Sequence, residues 1–243
     1  MLVIDSRAAR VLDPGRRAMV DDDEWEWIVD HSRGDFDHLV VASTLPVYMP
    51  KGIHHLEAWN EAVCAGAWGG LAARLGEKLR RALDLEHWSA FHDSFVRLSD
   101  WLCRIADGAD GHPPPATIVL LGGDVHNAYV NEVALPVSAD SASRVFQIVC
   151  SPFRNPLGAM QRRAVKLVTS RPSAALFARL ARLAGVKPTR VDWRLVREPS
   201  FHNSLGELVL EGRGARVTLY RSADEGENTE RIHRLDVTEL RRD

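Results

Sequence analysis

The chain has 243 residues, enough for one large domain with its own hydrophobic core, and its 45% hydrophobic, 26% charged and 7% aromatic residues exclude a disordered, collagen-like or disulfide-stapled chain. Thirty-three acidic against 31 basic residues give a formal charge of -2, so no overall field draws the chain to nucleic acid or to anionic membrane. Cys64, Cys103 and Cys150 lie far apart without a CxxC pair, which argues against a zinc ribbon and for a reducing compartment.

The chain opens on an apolar strand, Leu2-Val3-Ile4, that runs into Asp5-Ser6-Arg7; a strand starting on the first residue suggests that something upstream is missing. Asp21 to Glu24 before Trp25, Trp27 and Ile28 reads as the acidic first turn of a helix. His38 to Thr44 reads as a buried strand, followed by a loop from Leu45 to Gly52. Leu71, Leu75, Leu79 and Leu83 mark one helix, and Trp88, Phe91, Phe95, Leu98, Leu102 and Ile105 mark a second, continuous one, whose stripe is core packing.

A Gly/Pro linker over 108–115 delivers the chain into Thr117 to Leu121, a strand of the kind buried on both faces. Strands follow at Ala128 to Leu135 and Val145 to Cys150, then helices near Gly158 to Val168 and Pro172 to Ala184. Four late strands are expected, at Val191–Arg197, Leu205–Glu211, Arg216–Arg221 and Arg231–Val237, with a hairpin turn at Glu211 to Gly214 and a polar loop over 222–229. This order fits an α/β layered sandwich of one domain over 1–243 better than a doubly wound sheet, because no GxGxxG or P-loop motif follows any strand. The longest apolar run, Ile118 to Leu121, falls far short of the ~20 residues that span a bilayer, and no leader precedes it, so a soluble chain without a signal peptide is expected.

Gly122-Gly123-Asp124-Val125-His126-Asn127 follows immediately on the buried strand that ends at Leu121. Ligand groups in α/β sheets collect at the carboxyl ends of strands, and a carboxylate and an imidazole two residues apart suit a metal. The alternative is a turn cap and a half-buried histidine. His54 and His55 follow the preceding strand and Arg7 ends the first; each has a plain structural reading, capping and packing for the histidines and a salt bridge for the arginine. Asp35, Asp37 and His38 resemble a ligand cluster but precede their strand, and read as loop and cap. Arg162, Arg163 and Arg182 on two amphipathic helices raise nucleic-acid binding, though such faces are more often solvated, and no specific nucleic-acid partner is expected.

The strings VIDSRAARVLDPGRR (3–17), EWEWI (24–28), DFDHLVVASTLP (35–46), GIHHLEAWNEAVCAGAWGG (52–70), EHWSAFHDSF (86–95), IVLLGGDVHNAYVNEV (118–133) and QIVCSPFRNP (147–156) together resemble the carboxyl-terminal part of the PhoD-like metallophosphoesterases, the alkaline phosphatase D family. The resemblance implies a calcineurin-like α/β/β/α sandwich, incomplete on its amino-terminal side, that hydrolyses phosphomonoesters or phosphodiesters. It implies iron and calcium, with manganese or zinc as alternatives, held in part by Asp124 and His126, with His126 and Arg7 catalytic and Arg7, Asn127, His54 and His55 against a small phosphoester. The family's upstream G-D-x-x-x-x-D and D-D-H-D segments, which supply most metal ligands, do not occur in these residues. A chain with two ligands is expected to be weak or inactive alone. The alternative is a non-catalytic half-sandwich that self-associates through surfaces left exposed. The location of the parent, including export, is left open.

Overall fold

The computed structural model describes the chain except residues 14, 109–110, 139–140, 142, 152, 154–156, 198, 224–230 and 243. Part of the expected 108–115 linker, most of the 222–229 loop and part of the 147–156 string therefore lie outside the described residues. Strands β1 (Leu2–Ile4), β2 (His38–Ser43), β3 (Thr117–Gly122), β4 (Tyr129–Ala134), β5 (Arg144–Val149) and β6 (Asp192–Leu195) form one sheet in the order β1-β2-β3-β5-β4-β6. The first four in that order are mutually parallel, and β4 and β6 join antiparallel. Strands β7 (Ser204–Glu211), β8 (Gly214–Arg221) and β9 (His233–Arg241) make a separate antiparallel sheet.

Side-chain alternation along the strands builds two cores from one sheet. Leu39, Val41, Ile118 and Leu120 face the helices α1 (Asp22–His31) and α4 (His92–Ala106), while Val40, Val119, Val130, Phe146 and Ile148 face Ala215, Val217, Leu219 and Leu240 of the small sheet. The layers are thus helix, mostly parallel sheet and antiparallel sheet: a mixed α/β fold. Among the described residues no helix is long and apolar enough to cross a membrane.

Local chemistry accounts for the ends of these elements. Asp21 caps α1 by accepting from the Glu24 amide at 2.8 Å, with three acidic residues in the first turn complementing the helix dipole. Ser170 and Pro172 open α6 (Arg171–Leu183), and Gly212, at φ +54°, makes the two-residue turn between β7 and β8. Cys64, Cys103 and Cys150 are free thiols.

The four leucines at spacing four do form a helix, α3 (Gly70–Ala82) with Leu83 as its cap, but Leu71, Leu75 and Leu83 are exposed. The helix packs instead through Gly76, whose missing Cβ lets it approach Val63 and Cys64 of α2 (Lys51–Cys64), while Asn60 donates to the Gly76 carbonyl at 3.0 Å. The helix expected to run unbroken from Trp88 is also divided. Residues Trp88–Ala90 form a 3-10 turn, Phe91 leaves helical geometry, and α4 begins at His92. Two carboxylates of α2 cause this: Glu57 takes the Ser89 hydroxyl at 2.5 Å and the His87 ring at 2.6 Å, and Glu61 caps the His92 amide at 2.8 Å.

The segment between β2 and α2 is the least regular and among the most buried. Leu45, Val47, Tyr48 and Met49 are all inaccessible, so their main-chain polar groups need partners from inside the protein. Gln147 of β5 accepts from the Val47 and Tyr48 amides at 2.8 and 2.7 Å and donates to the Tyr48 carbonyl at 2.7 Å, which Asn131 of β4 also reaches at 2.7 Å. The Trp193 indole donates to the Met49 carbonyl at 2.8 Å. The chain is thereby carried across the helix-side face of the sheet, from β2 to the far edge strand β6, before α2 starts. Gln147→Leu keeps the volume but strands two amides and weakens the hold on a carbonyl, at a cost of about 3 kcal/mol or more. Urea unfolding checks this; a loss near zero would show that the crossing segment does not depend on the clamp.

Candidate functional site at the carboxyl ends of the parallel strands

The parallel strands end together on one edge. Ser6, just beyond β1, is inaccessible and shares a hydroxyl cluster with Thr44 at 2.9 Å and Ser43 at 3.0 Å, and the Trp88 indole donates to Ser43 at 3.2 Å. The Gly123 amide donates to the Thr44 carbonyl and the Cys150 amide to the Gly122 carbonyl, both at 3.1 Å, so the ladder continues past the last residues of β2, β3 and β5. Gly122 packs tightly here, since a Cβ on it would lie 3.0 Å from the Pro46 main chain of the crossing segment.

Beyond this rigid edge the backbone is strained. Asp124 has φ +58° and His126 has φ +55°, left-handed values that non-glycine residues rarely adopt and that gather at functional sites. Both side chains are exposed, and the His126 amide donates to the Ser151 hydroxyl at 3.2 Å. Asn127 turns inward instead. It is buried, donates to its neighbour's carbonyl, and leaves its own amide oxygen without a hydrogen-bond partner among the described residues.

Arg7 reaches this loop from β1. Asp5 accepts from the amides of Ala8 at 2.7 Å and Arg7 at 3.0 Å, bonds that hold its carboxyl below the usual range and fix the turn that carries the arginine. One guanidinium nitrogen of Arg7 then binds the Asp124 carboxylate and the other binds Glu86 at 2.9 Å, while Arg10 binds the second oxygen of Glu86 at 2.7 Å. Partial burial opposes the charge of Glu86, but the two guanidiniums outweigh it and hold this carboxyl below the usual range. The salt-bridge reading of Arg7 and the strand-end reading of its position both hold.

The next residue continues the network inward. His87 donates from Nδ1 to Glu57, which is fully buried on α2. Burial works against the imidazolium, but the charge and hydrogen bond of Glu57, with Glu86 and Asp84 nearby, keep it above the ordinary histidine value. Glu57, Glu86, His87 and Ser89 join this network although no motif of the sequence marks them as site residues. Their signal was present in the adjacent Glu86-His87 pair and in a carboxylate, Glu57, on the apolar side of a helix.

His54 and His55 are not brought to this edge. The crossing segment places them in the first turns of α2, and the His54 ring sits among Phe95 at 4.8 Å, Trp193 of β6 at 4.9 Å and His55 at 5.3 Å, on the opposite side of the sheet from β1. Burial, with His55, His92 and Lys51 nearby, pushes the His54 imidazole down to about 3, and burial lowers His55 as well. His54 is therefore a neutral core residue. The cluster at Asp35, Asp37 and His38 is structural: Asp37 pairs with Arg213, Asp35 with His112, and His38 bridges Thr117 and the Gly212 carbonyl.

Among the described residues no group of three or more His, Cys, Asp and Glu is arranged to hold a metal ion. Asp124 and His126 offer two donors of suitable chemistry, but a guanidinium already neutralises Asp124. The residues as placed do not by themselves fit a metal centre.

No family model matches the sequence, and no curated protein matches it. A solved structure described as "Structure of PhoD" is weakly similar in structure, with 11% sequence identity and a TM-score of 0.38, over 97% of this chain and 41% of its own. The chain thus spans about two fifths of the length of that protein.

Two outcomes are expected. Asp124→Gly relieves the left-handed strain and Asp124→Ala does not, while both lose the same exposed ion pair, so the glycine variant is the more stable by about 1 kcal/mol in urea unfolding. Equal stabilities would show that this backbone is not held left-handed. His54 takes up a proton near 6.5 in the unfolded chain but resists it in the fold down to about 3, so its contribution is present above pH 6.5 and lost as pH falls. His54→Leu is expected to flatten the stability profile between pH 6.5 and 4 by up to about 1.4 kcal/mol per pH unit. An unchanged slope would place the ring in solvent.

Proposed function

We propose that this chain is the carboxyl-terminal portion of a PhoD-like, calcineurin-like phosphoester hydrolase and contributes the strand-end loop of its active site. The observation that carries the reading is the strained Asp124-Val125-His126 loop at the end of the central parallel strand, with the Arg7 guanidinium held beside it. The motif strings of the sequence point the same way.

In this reading Arg7 binds the phosphoryl group. Its guanidinium is about two fifths exposed and shared between two carboxylates, and the nitrogen that holds Asp124 can make a charge-assisted bond to a phosphate oxygen instead. Glu86 keeps the fork oriented when a phosphate replaces Asp124 on one nitrogen. Release of Asp124 in that exchange leaves an oxygen donor two residues from the His126 imidazole. In the same reading His126 hands a proton to the leaving oxygen. Asn127 supports the loop from inside rather than touching substrate, and His54 and His55 take no part.

Metal-dependent hydrolysis requires ligands beyond Asp124 and His126, and we assign these to protein outside this chain. Iron, calcium, manganese or zinc enter only there. Alone, the chain is expected to bind phosphate weakly and to show no metal-dependent turnover of bis-(p-nitrophenyl) phosphate. Titration with inorganic phosphate should shift the amide NMR signals of residues 123–127, and Arg7→Ala should abolish those shifts. Shifts confined to other residues would overturn the site. Turnover by the chain alone that is lost in His126→Ala would overturn its dependence on outside ligands.

A further inference from the structure

The -2 balance of the chain conceals a separation of charge. From Ser141 to Val191 the sequence contains ten Lys and Arg and no Asp or Glu, so the remainder of the molecule is strongly acidic. Two helices, α5 (Ala159–Val168) and α6, occupy most of this stretch.

Their outward faces carry the same arrangement twice. In α5, Met160, Arg163, Lys166 and Leu167 stand at i, i+3, i+6 and i+7; in α6, Leu176, Arg179, Arg182 and Leu183 stand at the same intervals. At 100° per residue, each set places two large apolar side chains on one line of the helix, about two turns apart, with two cations along their flank. Val165 and Val168 on α5 and Phe177 and Ala181 on α6 are partly or fully buried. Met160 is 84% exposed, Leu167 69%, Leu176 55% and Leu183 65%. Among the described residues none of the four cations makes an ion pair, though the Lys166 ammonium lies 5.9 Å from the Phe201 ring centroid, whereas Arg7, Arg144, Arg194, Arg197 and Arg213 are each paired with a carboxylate.

The face is firmly mounted. Gly52 at the start of α2 lies so close to the Val168 carbonyl that a Cβ would stand 1.9 Å from it, and α6 lies along α2, with Phe177 stacked against Trp59.

We infer that the outward face of α5 and α6 docks on an anionic lipid surface. The four apolar side chains enter the headgroup region, and Arg163, Lys166, Arg179 and Arg182 meet lipid phosphates. An amphipathic helix whose polar side is basic and whose apolar side is aliphatic lies in a membrane interface by these two forces together. A nucleic-acid surface would have no use for exposed Met and Leu beside its cations, and stacks bases on aromatic rings instead. A second copy of the same face would bring the two sets of cations together. The acidic remainder of the protein is repelled by anionic lipid, which leaves this face as the one turned toward it.

The test is flotation of the full chain with vesicles of phosphatidylcholine alone and of phosphatidylcholine with phosphatidylglycerol, at low and high salt. Binding is expected only with phosphatidylglycerol present, and it should weaken as salt rises. Each cation reversed to Glu among Arg163, Lys166, Arg179 and Arg182 should weaken it roughly fivefold or more. Met160→Ser combined with Leu183→Ser should weaken it roughly tenfold with every charge intact. All these positions are exposed, and far-ultraviolet circular dichroism verifies that the variants fold. Absence of binding to the anionic vesicles overturns the inference. So does binding to a single-stranded oligonucleotide or to the vesicles that the Ser variants leave undiminished, since that marks a surface read by charge alone. A dimer in light scattering that the Ser variants dissolve would assign the face to a second copy instead.

Discussion

The clamp of Gln147 and Asn131 on the main chain of Val47 and Tyr48 is the constraint from which the rest of the architecture follows. A connection normally runs over the surface, where water satisfies its amides and carbonyls. Here it runs through the core, and its polar groups are satisfied by two side chains projecting from β5 and β4 and by the Trp193 indole. Because the segment crosses the sheet, α2 begins beside β6 rather than beside β2. This single displacement takes His54 and His55 away from the strand ends, brings Pro46 against Gly122, and sets α2 where its two carboxylates can reach the start of α4.

Those carboxylates illustrate how burial and charge are coupled in this protein. Glu57 is inaccessible yet accepts bonds from His87 and Ser89, which offsets the cost of removing a charge from water. Glu61, four residues on, caps α4 and is pushed by burial to about 7 despite the His92 amide and Arg17. The same helix therefore fixes a break in the following helix and orients the Asp84–Ser89 stretch. Glu86 of that stretch holds Arg7, and Arg7 holds Asp124. A line of polar contacts runs from the interior of α2 to the strained loop after β3.

The strain at Asp124 and His126 is affordable because everything beneath it is over-determined. Four parallel strands, a hydroxyl cluster and a glycine pinned by Pro46 support two residues in left-handed geometry. The strand-end edge lies opposite in character to the basic helices, whose outer faces bury little and whose cations Arg163, Lys166, Arg179 and Arg182 make no ion pair among the described residues. The strained loop and the basic helices thus lie on separate parts of the molecule.

Patterns that depend on near neighbours were legible in the sequence. The strands at Leu2–Ile4, His38–Ser43 and Thr117–Gly122, the acid-capped helix at Asp22–His31, the hairpin at Gly212 and the strand-end position of Arg7, Asp124 and His126 all follow from periodicity, capping and turn chemistry, which act over a few residues. The structural reading of Asp35, Asp37 and His38 was legible for the same reason. Tertiary structure alone decided that the leucine row of α3 faces outward, since Gly76 offers a closer approach to α2 than any leucine could. It alone decided that the stripe after Trp88 breaks at Phe91, because the groups that break it lie some thirty residues away on α2. And it alone separated His54 from Asp124: where a chain goes after a strand depends on which distant side chains can satisfy its backbone, and no local pattern records that.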